Sequence, residues 1–316
     1  MSAPGVQAHA RAAGRVVLEE TAVGRLGFGT MQLTGPGVWG APPDRGAAVR
    51  LLRRAVDLGV EFFDTADAYG PNESELLLAD ALHPYRDLVV ATKGGLRRHG
   101  PRRWSKDGRP AHLKAACEES LRRLRVDCIE LYQLHAVDPA VPLEESLGAL
   151  AELRAAGKIR RIGICNVTPE ELERALAVVP VVSVQNRFSV ADRSAAAVLD
   201  RCESRGIAFV AWAPLAKGYL TRRAGRLGRA AGARSATPGQ LALAWVLGRS
   251  PVTIPIPGTS SPGHLEENVG AAGVRLDADE VAALARPLPG YEARALVRRL
   301  RVRAGRVKSA VRGLHA

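Results

Sequence analysis

Apolar positions along the chain alternate between the spacing of a helix and that of a strand. Between Asp44 and Gly59 they recur at helical spacing, and the glycine follows where a left-handed residue ends a helix. Residues 60–64 (VEFFD) then form a short strand signal. The same alternation predicts further strands at 25–30, 87–91, 127–134, 159–165, 181–185, 207–212 and 252–256, and further helices at 112–124, 143–156, 169–178, 191–204 and 238–247.

Several predicted strands are uninterrupted apolar runs, such as VVSV at 181–184 and FVAW at 209–212. Such runs are typical of strands buried on both faces, in a parallel sheet covered by helices. Eight such units in about 240 residues favour a closed (β/α)8 barrel over an open doubly wound sheet. No repeat or linker divides the chain, so we expect one barrel domain over residues 1–292 and a separate tail over 293–316.

The composition is that of a globular protein. The chain has 316 residues, of which 47% are hydrophobic and 24% charged, which excludes disordered and fibrous classes. Its longest uncharged apolar runs, 179–184 and 207–215, are shorter than the roughly 20 residues of a membrane span. The first 15 residues lack the apolar segment of a secretory signal. We therefore predict a cytoplasmic protein with a disordered N-terminus and no membrane partner.

The cysteines and the charge distribution bear on metal binding, disulfide formation and nucleic-acid binding. The four cysteines are far apart and form no CxxC pair, which predicts free thiols rather than a metal site or disulfides: Cys117, Cys128, Cys165 and Cys202. The formal net charge is +13, but eight of these charges lie within 294–312, where there is no acidic residue. The rest of the chain is only mildly basic, so we expect no nucleic-acid partner.

The basic tail has the pattern of an amphipathic helix. One stripe is apolar and arginines occupy the other faces; the stripe consists of Leu296, Leu300, Val307, Val311 and Leu314. Three alternatives are open: packing on the barrel, self-association or contact with an acidic partner, or a solvated tail. The stripe lacks the bulky aromatic residues that anchor a helix on a membrane.

Three connections are longer than simple turns, and each follows a predicted strand: 32–43, 94–110 and 216–237. In a barrel this is the catalytic face, although tolerated surface insertions are the alternative. The first connection contains GxGxxG at Gly35, Gly37 and Gly40. The sequence APP at 41–43 separates it from the next helix, which favours an active-site loop over a dinucleotide-binding turn.

Four polar side chains lie at or just after the predicted strand ends. Asp64, Lys93 and His135 each end a strand signal, and Tyr69 follows Asp64 by five residues. Strand ends of a barrel converge on one face, so we expect these side chains in one pocket. Buried Lys and Asp are costly unless they pair. A salt bridge between strands with a capping histidine is the structural alternative.

These residue types suit the protonation of a carbonyl oxygen. A free tyrosine hydroxyl has a pKa near 10, and a neighbouring Lys93 ammonium would lower the pKa of Tyr69. Asp64 would keep that lysine charged, and His135 could donate a hydrogen bond to the same substrate oxygen. The set would serve a carbonyl that receives a hydride while negative charge develops on its oxygen.

Seven motifs occur in an order that resembles the aldo-keto reductase superfamily, over about residues 25–272: DTADAYGPNE, ATKGG, LYQLH, GICN, VQNRFS, AWAPL and IPGTSSPGHLEEN. The resemblance implies a (β/α)8 barrel and a catalytic tetrad of Asp64, Tyr69, Lys93 and His135, with Tyr69 as the general acid. It also implies a nicotinamide cofactor bound in extended form at the barrel mouth.

The resemblance further implies which residues bind that cofactor. Asn166 and Gln185 would contact the carboxamide, and Trp212 would stack on the nicotinamide. The remaining implied contacts are Leu215 and Gly218 near the pyrophosphate, Gly258, Thr259, Ser260 and His264 near the ribose and its 2′ substituent, and Glu267 and Asn268 at the adenine. Cys165 stands where the family usually has a serine.

Cofactor choice depends on two of these positions. Family members selective for the 2′-phosphate usually have a lysine at the position of Gly258 and an arginine at that of His264, and this chain has neither. Hydroxyl groups and a helix N-terminus at 261–263 could still hold a phosphate. We therefore expect NADPH, with NADH as the alternative.

The sequence predicts reduction of an aldehyde or ketone, with a small carbonyl compound as the partner. Trp39, Trp104 and Tyr219 are candidate walls of the substrate pocket, because aromatic residues line such pockets. Arginines 97, 98, 102 and 103 could attract an anionic substrate or be solvated. Two other functions remain open: oxidation of an alcohol or sugar by the same residues, and a non-catalytic, redox-sensing nicotinamide-binding subunit.

Overall fold

The computed structural model describes residues 9–222 and 225–285. Over these ranges the strands are β1 Arg15–Leu18, β2 Thr21–Gly24, β3 Phe28–Gly29, β4 Phe62–Asp64, β5 Val89–Gly94, β6 Leu96–Arg98, β7 Trp104–Lys106, β8 Ile129–Leu134, β9 Ile159–Cys165, β10 Val181–Arg187, β11 Ala208–Trp212 and β12 Thr253–Pro255. The α-helices are α1 Arg45–Asp57, α2 Glu73–Leu82, α3 Pro110–Leu124, α4 Leu143–Ala155, α5 Pro169–Leu176, α6 Ala196–Ser204, α7 Gly225–Gly232, α8 Pro238–Arg249, α9 Pro262–Gly270 and α10 Ala278–Leu284. Short 3-10 helices span Ala10–Ala13, Thr30–Leu33, Ala216–Thr221 and Ala271–Gly273.

Eight strands form one parallel sheet, in the order β3, β4, β5, β8, β9, β10, β11, β12. The N–H of Gly27, just before β3, donates to the carbonyl of Pro255 in β12 at 3.1 Å. This bond joins the first strand to the last and closes the sheet. The predicted (β/α)8 barrel is confirmed, and its strand ends meet on one face as that fold requires.

Local sequence signals explain the helix boundaries. The Asp44 carboxylate accepts the Ala47 N–H and begins α1, whose apolar stripe is buried. Gly59 follows the helix with φ 82°, which confirms the predicted left-handed stop. Thr168 and Glu171 form a capping box that begins α5.

The N-terminal segment is ordered from His9, so the prediction of disorder over the first 15 residues is wrong for residues 9–15. Ala10 and Ala13 are buried, and the Ala10 N–H donates to the Leu58 carbonyl at 2.8 Å. Arg11 and Arg15 both pair with Glu61, just before β4. These contacts and the β1–β2 hairpin cover the N-terminal end of the barrel. Sequence periodicity missed them because the segment is too short to show a repeat.

Several predicted boundaries are also wrong, and two of them have a visible cause. Helix α6 begins at Ala196 rather than 191, because Ser189 and Asp192 form a tight bridge that Ser194 reinforces. The first barrel strand contains only Phe28–Gly29, since Thr30 already begins a 3-10 helix. The second long connection holds the antiparallel pair of β6 and β7, and the third holds α7.

Other predictions concern the cysteines and the ends of the chain. All four cysteines are free, and three are buried. Over the described part of the chain, no helix has both the length and the apolar character to cross a bilayer. The basic tail, 293–316, and residues 1–8 lie outside the described residues.

Candidate active site

Three neighbouring strands deliver the charged pair and the histidine to the same end of the barrel. Asp64 ends β4, Lys93 lies near the end of β5, and His135 follows β8. The Lys93 Nζ lies 2.7 Å from Asp64 Oδ2 and 2.7 Å from the Thr65 carbonyl oxygen, and it donates to the Tyr69 hydroxyl at 3.4 Å. The structure therefore brings the four predicted catalytic side chains together.

The Asp64 carboxylate is fully engaged. Its second oxygen, Oδ1, accepts the Gln185 amide at 2.6 Å and the Gln133 amide at 3.4 Å. Burial by itself would lower the pKa of Lys93, but Asp64, followed by Tyr69, outweighs burial and raises the pKa above its ordinary value. The lysine is thus held as an ammonium although its side chain is completely buried.

The pKa of Tyr69 departs from the sequence-based expectation. Burial raises the pKa of Tyr69 to about 12, and the Lys93 ammonium only partly offsets this increase. Lys93 acts in the predicted direction, but the predicted net lowering of the tyrosine pKa is wrong, because the cost of burying a phenolate was not visible in the sequence. The phenol therefore remains protonated at neutral pH, as a proton donor must be.

His135 lies against the tyrosine. The two ring centroids are 5.7 Å apart, with an interplanar angle of 80°. Burial, and then the Lys93 charge, holds the pKa of His135 well below its ordinary value, so the imidazole is neutral. Its Nδ1 atom is buried and has no hydrogen-bond partner among the described residues. A neutral imidazole still carries one N–H that can donate to a ligand.

A cavity of about 520 Å³ opens over these groups. The predicted residues that line it are Asp64, Tyr69, Trp104, His135, Asn166, Gln185, Trp212, Leu215, Gly218, Gly258, Thr259, His264, Glu267 and Asn268. Lys93 lies behind Tyr69 and outside the lining. Ser260 instead lines a neighbouring cavity of about 920 Å³. Trp39 and Tyr219 line neither of these two cavities.

Several lining residues were not predicted: Gly29, Met31, Gln32, Leu96, Ala213, Pro214, Lys217, Thr221, Ile256 and Pro257. Most directly follow a strand or lie one or two residues from a predicted site residue, and that position could have identified them. Lys217 adds a cation to the lining and has φ 57° inside the 3-10 segment after β11. No periodicity marks such a turn.

Asn166 connects two walls of the cavity. Its amide nitrogen donates to the His135 carbonyl at 3.1 Å, and its amide oxygen accepts the Trp212 indole N–H at 2.9 Å. The backbone of Asn166 has φ 60°, a conformation that asparagine tolerates better than most residues. Each amide atom has one further hydrogen-bonding position, so the side chain can also contact a ligand.

Gly258 is confined by the backbone at the end of β3. A Cβ atom at this position would lie 2.4 Å from the Gly29 carbonyl oxygen. No side chain fits there unless the backbone moves. A lysine at this position would therefore clash with the chain's own first strand.

Comparisons with known proteins agree with this arrangement. A family model described as "Aldo/keto reductase family" matches residues 25–286. An uncharacterized oxidoreductase of Schizosaccharomyces pombe is 45% identical over 272 residues, which cover 86% of this chain and 89% of the relative. Pyridoxine 4-dehydrogenase of Escherichia coli is 40% identical over 269 residues, which cover 83% of this chain and 94% of the relative.

A solved structure supports the same relationship. The crystal structure of an aldo-keto reductase from Klebsiella pneumoniae in complex with NADPH is 29% identical to this chain, with a TM-score of 0.73. The match covers 90% of this chain and 98% of that one.

Proposed function

The chain belongs to the aldo/keto reductase family, and from this premise we propose that it reduces an aldehyde or ketone to an alcohol with NAD(P)H, using Tyr69 as general acid. The observation that carries the proposal is the position of the Lys93 Nζ, which contacts both Asp64 and Tyr69 beneath the cavity. A structural salt bridge alone would not require a tyrosine hydroxyl at the cavity floor.

The substrate carbonyl oxygen lies between the Tyr69 hydroxyl and His135 in this proposal. A nicotinamide held by Trp212, Asn166 and Gln185 would supply the hydride for the carbonyl carbon. Tyr69 gives its proton to the oxygen, and the Lys93 ammonium stabilises the phenolate that remains. Asp64 keeps that ammonium in place, and the neutral His135 donates a hydrogen bond to the oxygen as its negative charge grows.

The lining residues fit a dinucleotide. Trp212 offers a flat aromatic face for the nicotinamide, while Asn166 and Gln185 offer amides for its carboxamide. Lys217 lines the same cavity and would supply a cation for the pyrophosphate. The space around Gly218 is open, since a Cβ atom there would meet no atom within 4 Å, and it would leave room for that group.

Another group of residues suits the adenosine. Thr259, His264 and Asn268 line the cavity, Ser260 lines the neighbouring cavity, and α9 begins at Pro262, within the same segment of the chain. Helix N-termini favour phosphate groups. NADPH is the preferred cofactor in this proposal, in line with the NADPH complex of the Klebsiella relative, and NADH remains the alternative.

The substrate class we propose is a small aromatic or apolar carbonyl compound. Tyr69, Trp104 and Leu96 give the reacting end of the cavity an apolar wall. The name of the Escherichia coli relative, pyridoxine 4-dehydrogenase, makes pyridoxal a suitable first compound and also favours testing the reverse oxidation. The cytoplasmic location and the absence of a nucleic-acid partner stay predictions.

Replacement of Tyr69 by Phe tests the function. Loss of NADPH absorbance would be followed with pyridoxal, benzaldehyde and butanal, and NADPH binding by fluorescence titration. We expect Tyr69→Phe to lower kcat by about 10²–10⁴-fold with unchanged NADPH binding. The matched control is Tyr85→Phe, since the Tyr85 hydroxyl donates to the Leu124 carbonyl, away from the cavity. Near-normal reduction by Tyr69→Phe would refute the assignment, and NADPH binding without turnover of any compound would indicate the non-catalytic subunit.

A further inference from the structure

Arg98, at the end of β6, joins loops from three parts of the catalytic face. Its Nη1 donates to the carbonyls of Val38 at 2.6 Å and Ala68 at 2.9 Å. Its Nη2 donates to the carbonyls of Gly37 at 3.1 Å and Gly100 at 3.2 Å. The first long connection, the turn that carries the catalytic tyrosine and the β6–β7 hairpin are therefore held by one guanidinium.

The same guanidinium stacks on tryptophan. The Arg98 Cζ lies 3.6 Å from the ring centroid of Trp104 and 5.5 Å from that of Trp39. Trp104 in turn meets Tyr69 edge to face, with centroids 6.5 Å apart and an interplanar angle of 84°. A continuous line of contacts thus runs from Arg98 through Trp104 to the proposed acid.

Arg98 differs from its neighbour Arg97 in the partners of its guanidinium. It forms no ion pair with a carboxylate in the described part of the chain, whereas Arg97 pairs with Asp107 at 2.6 Å. Its hydrogen bonds go to carbonyls and its faces to indole rings. Among the alternatives for these arginines, solvation therefore does not apply to Arg98. Lysine cannot replace such a group, because it lacks the planar fork that bonds and stacks at once.

Trp104 lies between two cavities. It lines both the cavity over Tyr69 and the neighbouring one of about 920 Å³, together with Met31, Gln32 and Lys217. Trp104 is 37% exposed, so the rest of the loop does not enclose it. The position of this ring then depends strongly on the stacked guanidinium.

We propose that Arg98 is a positioning residue that holds Trp104 as the partition between the two cavities and so limits the size of the carbonyl substrate. The inference rests on the proposed function, because it concerns the substrate end of that site. When the guanidinium is removed, Trp104 loses its stacking partner, and the second cavity becomes available to the distal part of a larger substrate.

The test compares Arg98→Lys, Arg98→Met and Trp104→Ala with the control Arg103→Lys. Arg103 is exposed in the same hairpin, and its side chain makes no hydrogen bond or ion pair within the described residues. Reduction of butanal and of 2-naphthaldehyde would be measured. We expect Arg98→Met and Trp104→Ala to raise the naphthaldehyde-to-butanal ratio of kcat/KM by about 10-fold or more, mainly through KM. Arg98→Lys should resemble Arg98→Met, and Arg103→Lys should resemble the wild type.

A second readout separates this inference from the proposed function. Acrylamide quenching would be compared between each Arg98 variant and the same variant carrying Trp104→Phe, so that the difference reports Trp104 alone. Greater access to Trp104 is expected even if no carbonyl is reduced. An unchanged ratio and unchanged quenching, in an Arg98→Met protein with normal NADPH binding and thermal midpoint, would overturn the inference. A change of the same size in Arg103→Lys would also overturn it.

Discussion

Gln185 donates a 2.6 Å hydrogen bond to Asp64, the same carboxylate that pairs with Lys93. Gln185 lines the cavity, whereas Gln133 donates to the same carboxylate oxygen at 3.4 Å from outside that lining. A residue predicted only as a cofactor contact therefore also orients the charged pair under Tyr69. In the proposed function, one amide would thus serve both ligand binding and proton donation.

Replacement of Gln185 and replacement of Gln133 should have different effects on kcat and on NADPH affinity. Gln185→Met removes a hydrogen bond to a buried carboxylate, so we expect a loss of about 10-fold or more in kcat together with weaker NADPH binding. Gln133→Met removes the longer bond and no cavity contact, so kcat should fall less and NADPH affinity should stay the same. Equal losses of affinity in both variants would contradict this assignment.

The pH profile of carbonyl reduction should show no ionisation of Asp64, Tyr69, Lys93 or His135 near neutral pH. Burial raises the pKa of Tyr69 to about 12, so the acid remains protonated across the neutral range. Burial and the Lys93 charge keep the pKa of His135 well below its ordinary value, so it remains neutral there. We expect kcat to be flat between about pH 6 and 9, because burial moves the pKa of each group away from that window. A limb near the ordinary histidine pKa would show that His135 becomes charged.

Lys93→Met should raise the pKa of Tyr69. Since Lys93 lowers the pKa of Tyr69 against the effect of burial, its removal raises that pKa further. The acid form is the one below the pKa, so any alkaline loss of reduction should move to higher pH while the maximal rate falls by about 10²-fold or more. A stopped-flow pH series on both proteins measures this shift. Movement of the limb to lower pH would contradict it.

A substitution of His264 should change the preference between NADPH and NADH, whereas a substitution of Gly258 should change the stability of the protein. His264→Arg adds a cation at the adenosine end and is expected to raise the NADPH-to-NADH ratio of kcat/KM by about 10-fold. Gly258→Lys should instead destabilise the protein, because its Cβ would lie 2.4 Å from the Gly29 carbonyl oxygen. Gly148→Ala is the control, since a Cβ there meets no atom within 4 Å and alanine favours the helix interior. An unchanged ratio in His264→Arg would mean that the adenosine lies elsewhere.

Asp67 should make the protein less stable as pH rises. Burial, and then the charge of Glu75, raises the pKa of this carboxyl to about 8, and its Oδ1 has no hydrogen-bond partner among the described residues. Unfolded Asp ionises near pH 3.9, so between about pH 4 and 8 unfolding releases a proton and the free energy of unfolding falls by up to ~1.4 kcal/mol per pH unit. Asp67→Asn should remove this contribution, as measured by urea unfolding from pH 5 to 9. Asp127→Asn serves as the control, because Asp127 is exposed. If the free energy of unfolding had the same pH dependence in the wild type and in Asp67→Asn, the prediction would be contradicted.

Periodicity and strand-end position were sufficient to predict the barrel and the clustering of four polar side chains at one end of it. Asp64 ends β4, Lys93 lies near the end of β5 and His135 follows β8. The carboxyl ends of parallel strands in a closed sheet meet at a shared face. The sequence did not reveal what depends on burial or on loop packing. The pKa of Tyr69 moved opposite to expectation because burial outweighs Lys93, and Arg98 gave no periodic signal because its four carbonyl partners come from three separate loops.

One end of the barrel is covered by the N-terminal segment, and the other end carries the cavity. His9 through the β1–β2 hairpin lies at the end opposite the cavity, held by Glu61 and by the Leu58 carbonyl. A surface tether or a fused protein attached ahead of His9 would join the barrel on that closed side. Immobilisation through the amino end should then leave the mouth facing the solvent, which makes it the natural choice of attachment for a flow reactor or a sensor chip.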